Sequence, residues 1–399
     1  MAKEKVLIVG GGFGGVKAAL ELADDNRFAV TLVSDHPSLR YYPTLYRNAT
    51  GGSRANSNIP FDHIFADKKL TVYADTAVSI DRKAKTIKTA SKQVLEYDSL
   101  ILGLGVVTNY FGIAGLEEYS YSIKTNHQAE RLEAHLHNQL REDGAPDLNY
   151  IIVGAGPTGI ELAGALPSYL HKIMAKHDVM DRKVNITIVE AMPRLLPRLP
   201  KDVSRAVRRR LKRLGIKLLL GESVQGQTAG SLIVNGKPLA SHTVIWTAGV
   251  TNNPFFSDNH FVIAGRGKVA VDTYLQTEDN IFIIGDNANT PYSGLAQTAL
   301  YDGKFVADNL KRRASGKDMK SYKAKRPVTV IPAGPHWAAV VWGKLHLFGF
   351  AGWLLRAGAD FVGFHDYEPW PKATRQFFTE SQVEEDCVVC NTKANYENA

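Results

Sequence analysis

Two short glycine-rich runs hold the residues best suited to chemistry in this 399-residue chain. Gly10, Gly12, Phe13, Gly14 and Gly15 follow the apolar run 6–9, and Gly154, Gly156, Pro157, Thr158 and Gly159 follow the apolar run 151–153. A turn of this kind closes a strand and opens a helix. Glycine, with no Cβ, lets the chain turn sharply and lets backbone N–H groups and the helix N-terminus approach a pyrophosphate, while the last glycine lets helix and strand pack closely. Two such turns imply two dinucleotides bound together, and electrons passing between them.

Carboxylates at strand ends name the dinucleotides. At the first turn, Ser34-Asp35 ends the next strand, and Asp35 has the spacing of a ribose acceptor, about twenty residues beyond the last glycine. Gly285-Asp286, after the apolar run 281–284, presents a carboxylate to a ribityl chain, which only a flavin has, so FAD is expected at the first turn. At the second turn, Glu190 ends the strand 186–189, where a carboxylate binds both ribose hydroxyls of NADH and repels the extra phosphate of NADPH. NADH preference is therefore expected. Glu161, close to the start of the following helix, reads equally as a first-turn dipole partner and as a ligand contact.

Two further runs belong with these. Ala248-Gly249 closes a strand, and a turn of small residues would let a nicotinamide lie flat; the plain alternative is a left-handed or a strand-end glycine. In Ala296-Gln297-Thr298, a helix opening near Leu295 would aim its N-terminal N–H groups at the flavin and stabilise the reduced anion. Gln297 and Tyr301, four apart, share one helix face and flank a second substrate, unless the face is simply amphipathic. Hydride transfer between cofactors needs no protein acid or base, so the lack of a Ser/His/Asp or Cys/His motif is expected.

The elements that position these residues alternate between apolar strands and helices, which predicts an α/β fold of two dinucleotide-binding domains of Rossmann type. Residues 1–111 and 251–326 form the FAD domain, split around an NADH domain at 112–250, with a distinct C-terminal segment at 327–399. The pattern predicts strands near 5–9, 29–33, 100–104, 149–153, 185–190, 241–247, 267–271 and 281–284. Helices are predicted at 14–23, 157–170, 203–214 and 295–313.

Composition bounds the function class. No apolar run is long enough to span a bilayer, and because Met1 to Lys5 run directly into the first strand no leader is expected. Cysteine occurs only at Cys387 and Cys390, so a disulfide framework is excluded and a reducing cytoplasm is expected. That pair is incidental, or half a zinc site, or a redox dithiol on an arm that could reach a flavin, which would make the chain a disulfide- or thiol-linked pyridine nucleotide flavoprotein reductase instead. The net charge of +8 gathers in 205–213 and 311–326. These runs read as solvated faces or as attraction to anionic lipid, whereas nucleic acid is excluded because no aromatic residues interleave with the charges. Leu345, Leu347, Phe348, Phe350, Trp353, Leu354 and Leu355 form an apolar cluster that would attach to a membrane surface or else pack into a core or a homodimer.

Together these residues resemble the type II NADH dehydrogenases, single-subunit NADH:quinone oxidoreductases. The motifs that bear the resemblance are 42–46 with 49–51, 97–100 with 104–105, 109–113, 156–164 and 296–299. It implies FAD held noncovalently with contributions from Thr44, Leu45, Ala77, Leu104 and Gly105, and NADH at the second turn with Glu161 beside the nicotinamide. It also implies a membrane quinone, menaquinone or ubiquinone, reached near Gln297, a quinone-side wall at 337–341 with Lys344, and a peripheral position on the cytoplasmic face of the cell membrane. Three positions depart from the family pattern: Ser34 stands where an acidic residue is usual, Tyr301 where a second Gln is usual, and the C-terminal apolar stretch is interrupted by Arg356 and Asp360.

Overall fold

The computed structural model describes residues 2–52, 57–142 and 148–365, with side chains to residue 359. Cys387, Cys390 and the polar tail lie outside the described residues. In chain order the elements that matter are strand β1 (Glu4–Val9), helix α1 (Phe13–Leu22), and strands β2 (Phe28–Ser34), β3 (Leu70–Ala74) and β4 (Ser99–Leu102). Helix α2 (Asn126–Arg141), β5 (Asn149–Val153), α3 (Pro157–Lys176), β6 (Asn185–Glu190), α4 (Lys201–Arg213), β7 (Lys217–Leu220) and β8 (Thr243–Trp246) follow. The chain continues with β9 (Gln276–Glu278), β10 (Ile281–Ile283), α5 (Ala296–Arg313), β11 (Thr329–Pro332), β12 (Ala338–Trp342), β13 (Leu345–Gly349) and α6 (Phe350–His365).

The described residues divide into two compact units, one of 1–40, 58–107 and 251–327, the other of 41–57, 108–250 and the chain from 328. In the first, a six-stranded sheet runs β9-β10-β4-β1-β2-β3. Every pairing is parallel except β9 with β10, and the fold is mixed α/β. Its core gathers Leu7, Val9, Val33, Leu100, Leu102, Phe256 and Ile283. In the second, β7-β6-β5-β8 is parallel throughout, and the antiparallel sheet β11-β12-β13 shares one core with α2 and α3 through Ile331, Ala333, Ala339 and Val341. Continuous apolar runs in the central strands follow from burial on both faces.

Helix α3 runs six residues beyond its expected end, through Pro167, because Tyr169, Leu170, Ile173 and Met174 continue its buried face. The loss of one backbone bond at the proline is outweighed by that burial. Helix α2, absent from the expected elements, is announced by a capping box between Thr125 and Gln128 and by Ala129, Leu132, Leu136 and Leu140 on one buried face. The expected strand at 267–271 is not a ladder strand. Val269 is fully buried but makes only single bridges, to Ile263 and Ala288, and Lys268 reaches instead to the Asp286 carbonyl.

Candidate functional site: two glycine turns and a buried carboxylate

Each glycine turn follows one steric plan. A Cβ on Gly10 would lie 2.2 Å from the Gly103 carbonyl oxygen, and one on Gly15 would lie 1.9 Å from the Gly10 oxygen. In the second unit, a Cβ on Gly154 would meet the Ala248 Cα at 2.7 Å, and one on Gly159 the Gly154 oxygen at 2.0 Å. The outer glycines are therefore required by the protein's own packing. The middle ones are not: a Cβ on Gly12 or Gly156 would meet nothing within 4 Å. Both middle residues are extended and cap their helices with no side-chain hydrogen bond. An uncapped helix N-terminus facing open space across a glycine is the cradle a pyrophosphate needs, so both turns fit a dinucleotide.

Parallel register decides which residue ends each neighbouring strand beside the turn. Val9 pairs with Val33 and Val153 with Val189, so Ser34 and Glu190 occupy equivalent places. The Glu190 carboxylate accepts the Ala155 N–H at 2.7 Å and the Met192 N–H at 2.8 Å. Ser34 is buried against Gly11. Asp35, one residue further, points to solvent beside Arg40 at 3.7 Å and His36 at 3.4 Å. Of the other residues expected to contact FAD, Ala77 is buried in the core of the first unit. Thr44 and Leu45, also buried, belong to the segment 41–57 grouped with the second unit.

The Gly285–Asn287 turn sits at the end of β10 with Gly285 at φ +65°. Four side chains hold it. Asn287 exchanges two hydrogen bonds with the Gly105 backbone, at 2.8 and 2.6 Å. Ser293 donates to the Gly285 carbonyl at 2.9 Å and Lys268 to the Asp286 carbonyl at 2.7 Å. The Gly285 N–H donates to Asp302 at 3.0 Å. Asp286 itself is half-buried. Asp302, Asn287, Lys268 and Ser293 were not among the residues expected from sequence. An aspartate inside a helix reads as a solvated face, and its one usable signal is the neighbouring Gly303, whose absent Cβ would stand 2.1 Å from the Gly14 oxygen where α5 crosses α1.

Helix α5 opens at Ala296 after an uncapped Leu295, as expected. Gln297 in its first turn is exposed, Thr298 is buried and donates to the Tyr292 carbonyl, and the Tyr301 ring packs on Tyr322 with the Lys325 ammonium 4.3 Å above it. In the second unit, Glu161 lies half-buried on α3. Gly249 is not left-handed; a Cβ there would stand 2.5 Å from the Asn109 oxygen. Close approach, not a positive φ, requires that glycine.

The C-terminal cluster separates by exposure. Ala338 to Val341 of the wall at 337–341 are buried in the protein's own core, and Lys344 stands exposed in the turn before β13. Leu345, Phe350, Leu354 and Leu355 are exposed, while Leu347 and Phe348 lie partly buried. Arg356 does not interrupt the exposed face: it is 7% exposed and reaches the Pro43 carbonyl at 3.4 Å. The basic run 311–326 is partly committed as well, Lys311 to Glu21 and Arg313 to Glu4. No helix among the described residues is long and apolar enough to cross a membrane.

Comparison with known proteins agrees with this architecture. The type II NADH:quinone oxidoreductases of Staphylococcus aureus and Staphylococcus epidermidis are each 26% identical over 367 residues, covering 86% of this chain and 90% of theirs. NDH2 from Plasmodium falciparum in complex with NADH superposes with a TM-score of 0.85 at 18% identity, over 95% of this chain and 97% of that one. The sulfide:quinone oxidoreductase from Aquifex aeolicus gives 0.77 at 19% identity, over 97% and 98%. These two structures bear on the fold alone. The family model for pyridine nucleotide-disulphide oxidoreductases matches residues 4–303, from β1 through both glycine turns into α5, and the chain belongs to that family.

Proposed function

We propose that this chain is an FAD-dependent NADH:quinone oxidoreductase of the type II NADH dehydrogenase kind, reducing a membrane quinone without moving protons across the bilayer. One observation supports the reading most: the outer glycines of both turns are required by packing, and only Gly12 and Gly156 face open space. Relatives named for this activity match over 86% of the chain. Each unit is read as a Rossmann-like domain, the first for FAD and the second for NADH. Bound FAD supplies a two-electron acceptor for the hydride of NADH and passes the electrons on to quinone.

The protein's part is binding and orientation. The turn 10–15 and the N-terminus of α1 receive the FAD pyrophosphate, and Asp286 accepts the ribityl hydroxyls. The turn 154–159 receives the NADH pyrophosphate, with Glu190 on the ribose and Ala248-Gly249 beside the nicotinamide. Gln297 and Tyr301 serve the quinone. The exposed Leu345, Phe350, Leu354 and Leu355 would rest on the cytoplasmic face of the membrane. Dithiol chemistry has less support, since the family match at 4–303 contains no cysteine.

Anaerobic addition of NADH to the purified protein should bleach a yellow flavin absorbance, and a quinone analogue should restore it. A folded protein that stays colourless after incubation with FAD would overturn the reading.

A further inference from the structure

Asp302 is a buried ionisable group to which the proposed function gives no role. Asp302 is fully buried on α5, and its two carboxylate oxygens serve two different elements. Oδ2 accepts the Gly285 N–H at 3.0 Å, and Oδ1 accepts the Tyr322 hydroxyl at 2.7 Å. Tyr322 belongs to the stretch 317–326, which returns along α5 as a strap. Arg312 donates to the Asp318 carbonyl at 2.7 Å, Asn309 exchanges two bonds with the Lys320 backbone, and the Tyr322 N–H donates to the Thr273 carbonyl. The Tyr322 ring lies against Tyr301 at 5.6 Å and Phe305 at 5.2 Å.

We propose that Asp302 is a positioning residue for the cofactor turn: its ionised carboxylate holds the Gly285–Asn287 turn and the Tyr322 strap together, so that FAD is retained tightly only while that carboxylate is charged. This rests on the reading that FAD occupies the first turn. The reason is acceptor capacity. A carboxylate accepts both bonds, whereas a protonated carboxyl keeps one good acceptor oxygen and presents a donor to the other partner. The turn that presents Asp286 then loses one of its four ties.

The surroundings set the pH range. Burial pushes the Asp302 carboxyl up to about 6, with the nearby Asp286 charge adding to the rise, while the Tyr322 hydroxyl, the Gly285 N–H and Lys268 oppose it. Other charged or titratable groups on the packed elements include Tyr301, Lys304, Asp308 and Lys311 to Arg313 on α5 itself, Lys317, Asp318, Lys320, Lys323, Lys325 and Arg326 on the strap, and Lys17 and Glu21 on α1, the last paired with Lys304 and Lys311. Because the Tyr322 bond favours the charged form, removing its hydroxyl moves the transition to higher pH.

The test follows FAD release from the holoenzyme by the rise in free flavin fluorescence after dilution, from pH 5 to 8. In the wild type, release should quicken roughly tenfold on acidification through about pH 6, the scale of one lost hydrogen bond to a charged group. Tyr322→Phe, which keeps the ring contacts, should move that midpoint upward. Asp302→Asn should release FAD at the fast, acid-like rate at every pH in this range, since a neutral amide keeps one acceptor oxygen, presents a donor to the other partner and does not titrate. A wild-type profile flat across the range, or a transition that persists unshifted in both variants, overturns the proposal. Should Asp302→Asn not fold, the midpoint in Tyr322→Phe still decides. A wild-type protein that holds no FAD at any pH overturns the functional reading instead.

Discussion

Replacing Gly12 by alanine should weaken FAD binding without disturbing the folded chain, and Gly156→Ala should do the same for NADH alone. Gly12 has φ −83° and ψ −172°, a conformation alanine adopts freely. Its Cβ would meet no protein atom within 4 Å. Alanine is a poorer helix N-cap than glycine by about 0.5–1 kcal/mol, and it stiffens the unfolded chain by about 0.4–1 kcal/mol, so the two effects roughly cancel. A pyrophosphate seated on this turn would leave the same methyl no room. Overpacking of about 1–3 kcal/mol corresponds to a loss of roughly 5- to 150-fold in affinity. Gly15→Ala gives the opposite signature, because its Cβ would stand 1.9 Å from the Gly10 oxygen. That clash should destabilise the fold itself by about 3 kcal/mol or more. Thermal unfolding of the apoproteins by circular dichroism, paired with FAD titration followed by flavin fluorescence quenching, separates the cases. Gly12→Ala protein that binds FAD like the wild type would refute placement of the pyrophosphate on this turn. Apoprotein that melts as early as Gly15→Ala would refute the open-space argument.

Three other perturbations address the remaining assignments. Glu190→Ser should narrow the kcat/KM advantage of NADH over NADPH by about tenfold, or ~1.4 kcal/mol, through relief of charge repulsion; wild-type protein indifferent to the two nucleotides would show Glu190 has another role. Gln297→Leu should slow flavin reoxidation by a quinone analogue while leaving stopped-flow reduction by NADH within about twofold, and equal loss in both half-reactions would contradict separate sites. Protein at low salt should co-sediment with anionic vesicles better than with zwitterionic ones, and a variant with Phe350→Ser and Leu354→Ser should remain in the supernatant. If the wild type also remains there, the exposed apolar face is buried by other means, a homodimer being the first to check by sedimentation velocity.

What could be read from the chain and what could not divides along physical lines. The two turns were legible because their requirements are local: a sharp strand-to-helix turn needs glycines within a few residues, and apolar runs mark the strands on either side. The same locality made the starts of α1 and α5 readable from their uncapped, glycine-led openings. Choices that depend on register or on distant chain were not legible. Spacing favours Asp35 as the strand-end acceptor, yet the pairing of Val9 with Val33 puts Ser34 there and turns Asp35 to solvent, because a one-residue step reverses the face of a strand. Arg356 reads as a break in an apolar stretch, but a carbonyl 313 residues earlier receives it, and among the described side chains, which end before Asp360, the exposed face of α6 is apolar. Asp302 reads as an ordinary charge on a helix. Only the close crossing of α5 over α1 at Gly303 and the return of the Tyr322 strap bury it against the Gly285–Asn287 turn. Sequence determined the chemistry of the two cradles, since that chemistry lives in backbone freedom over five or six residues. Tertiary structure decided which charges are buried, since burial is a property of whatever the rest of the chain brings alongside.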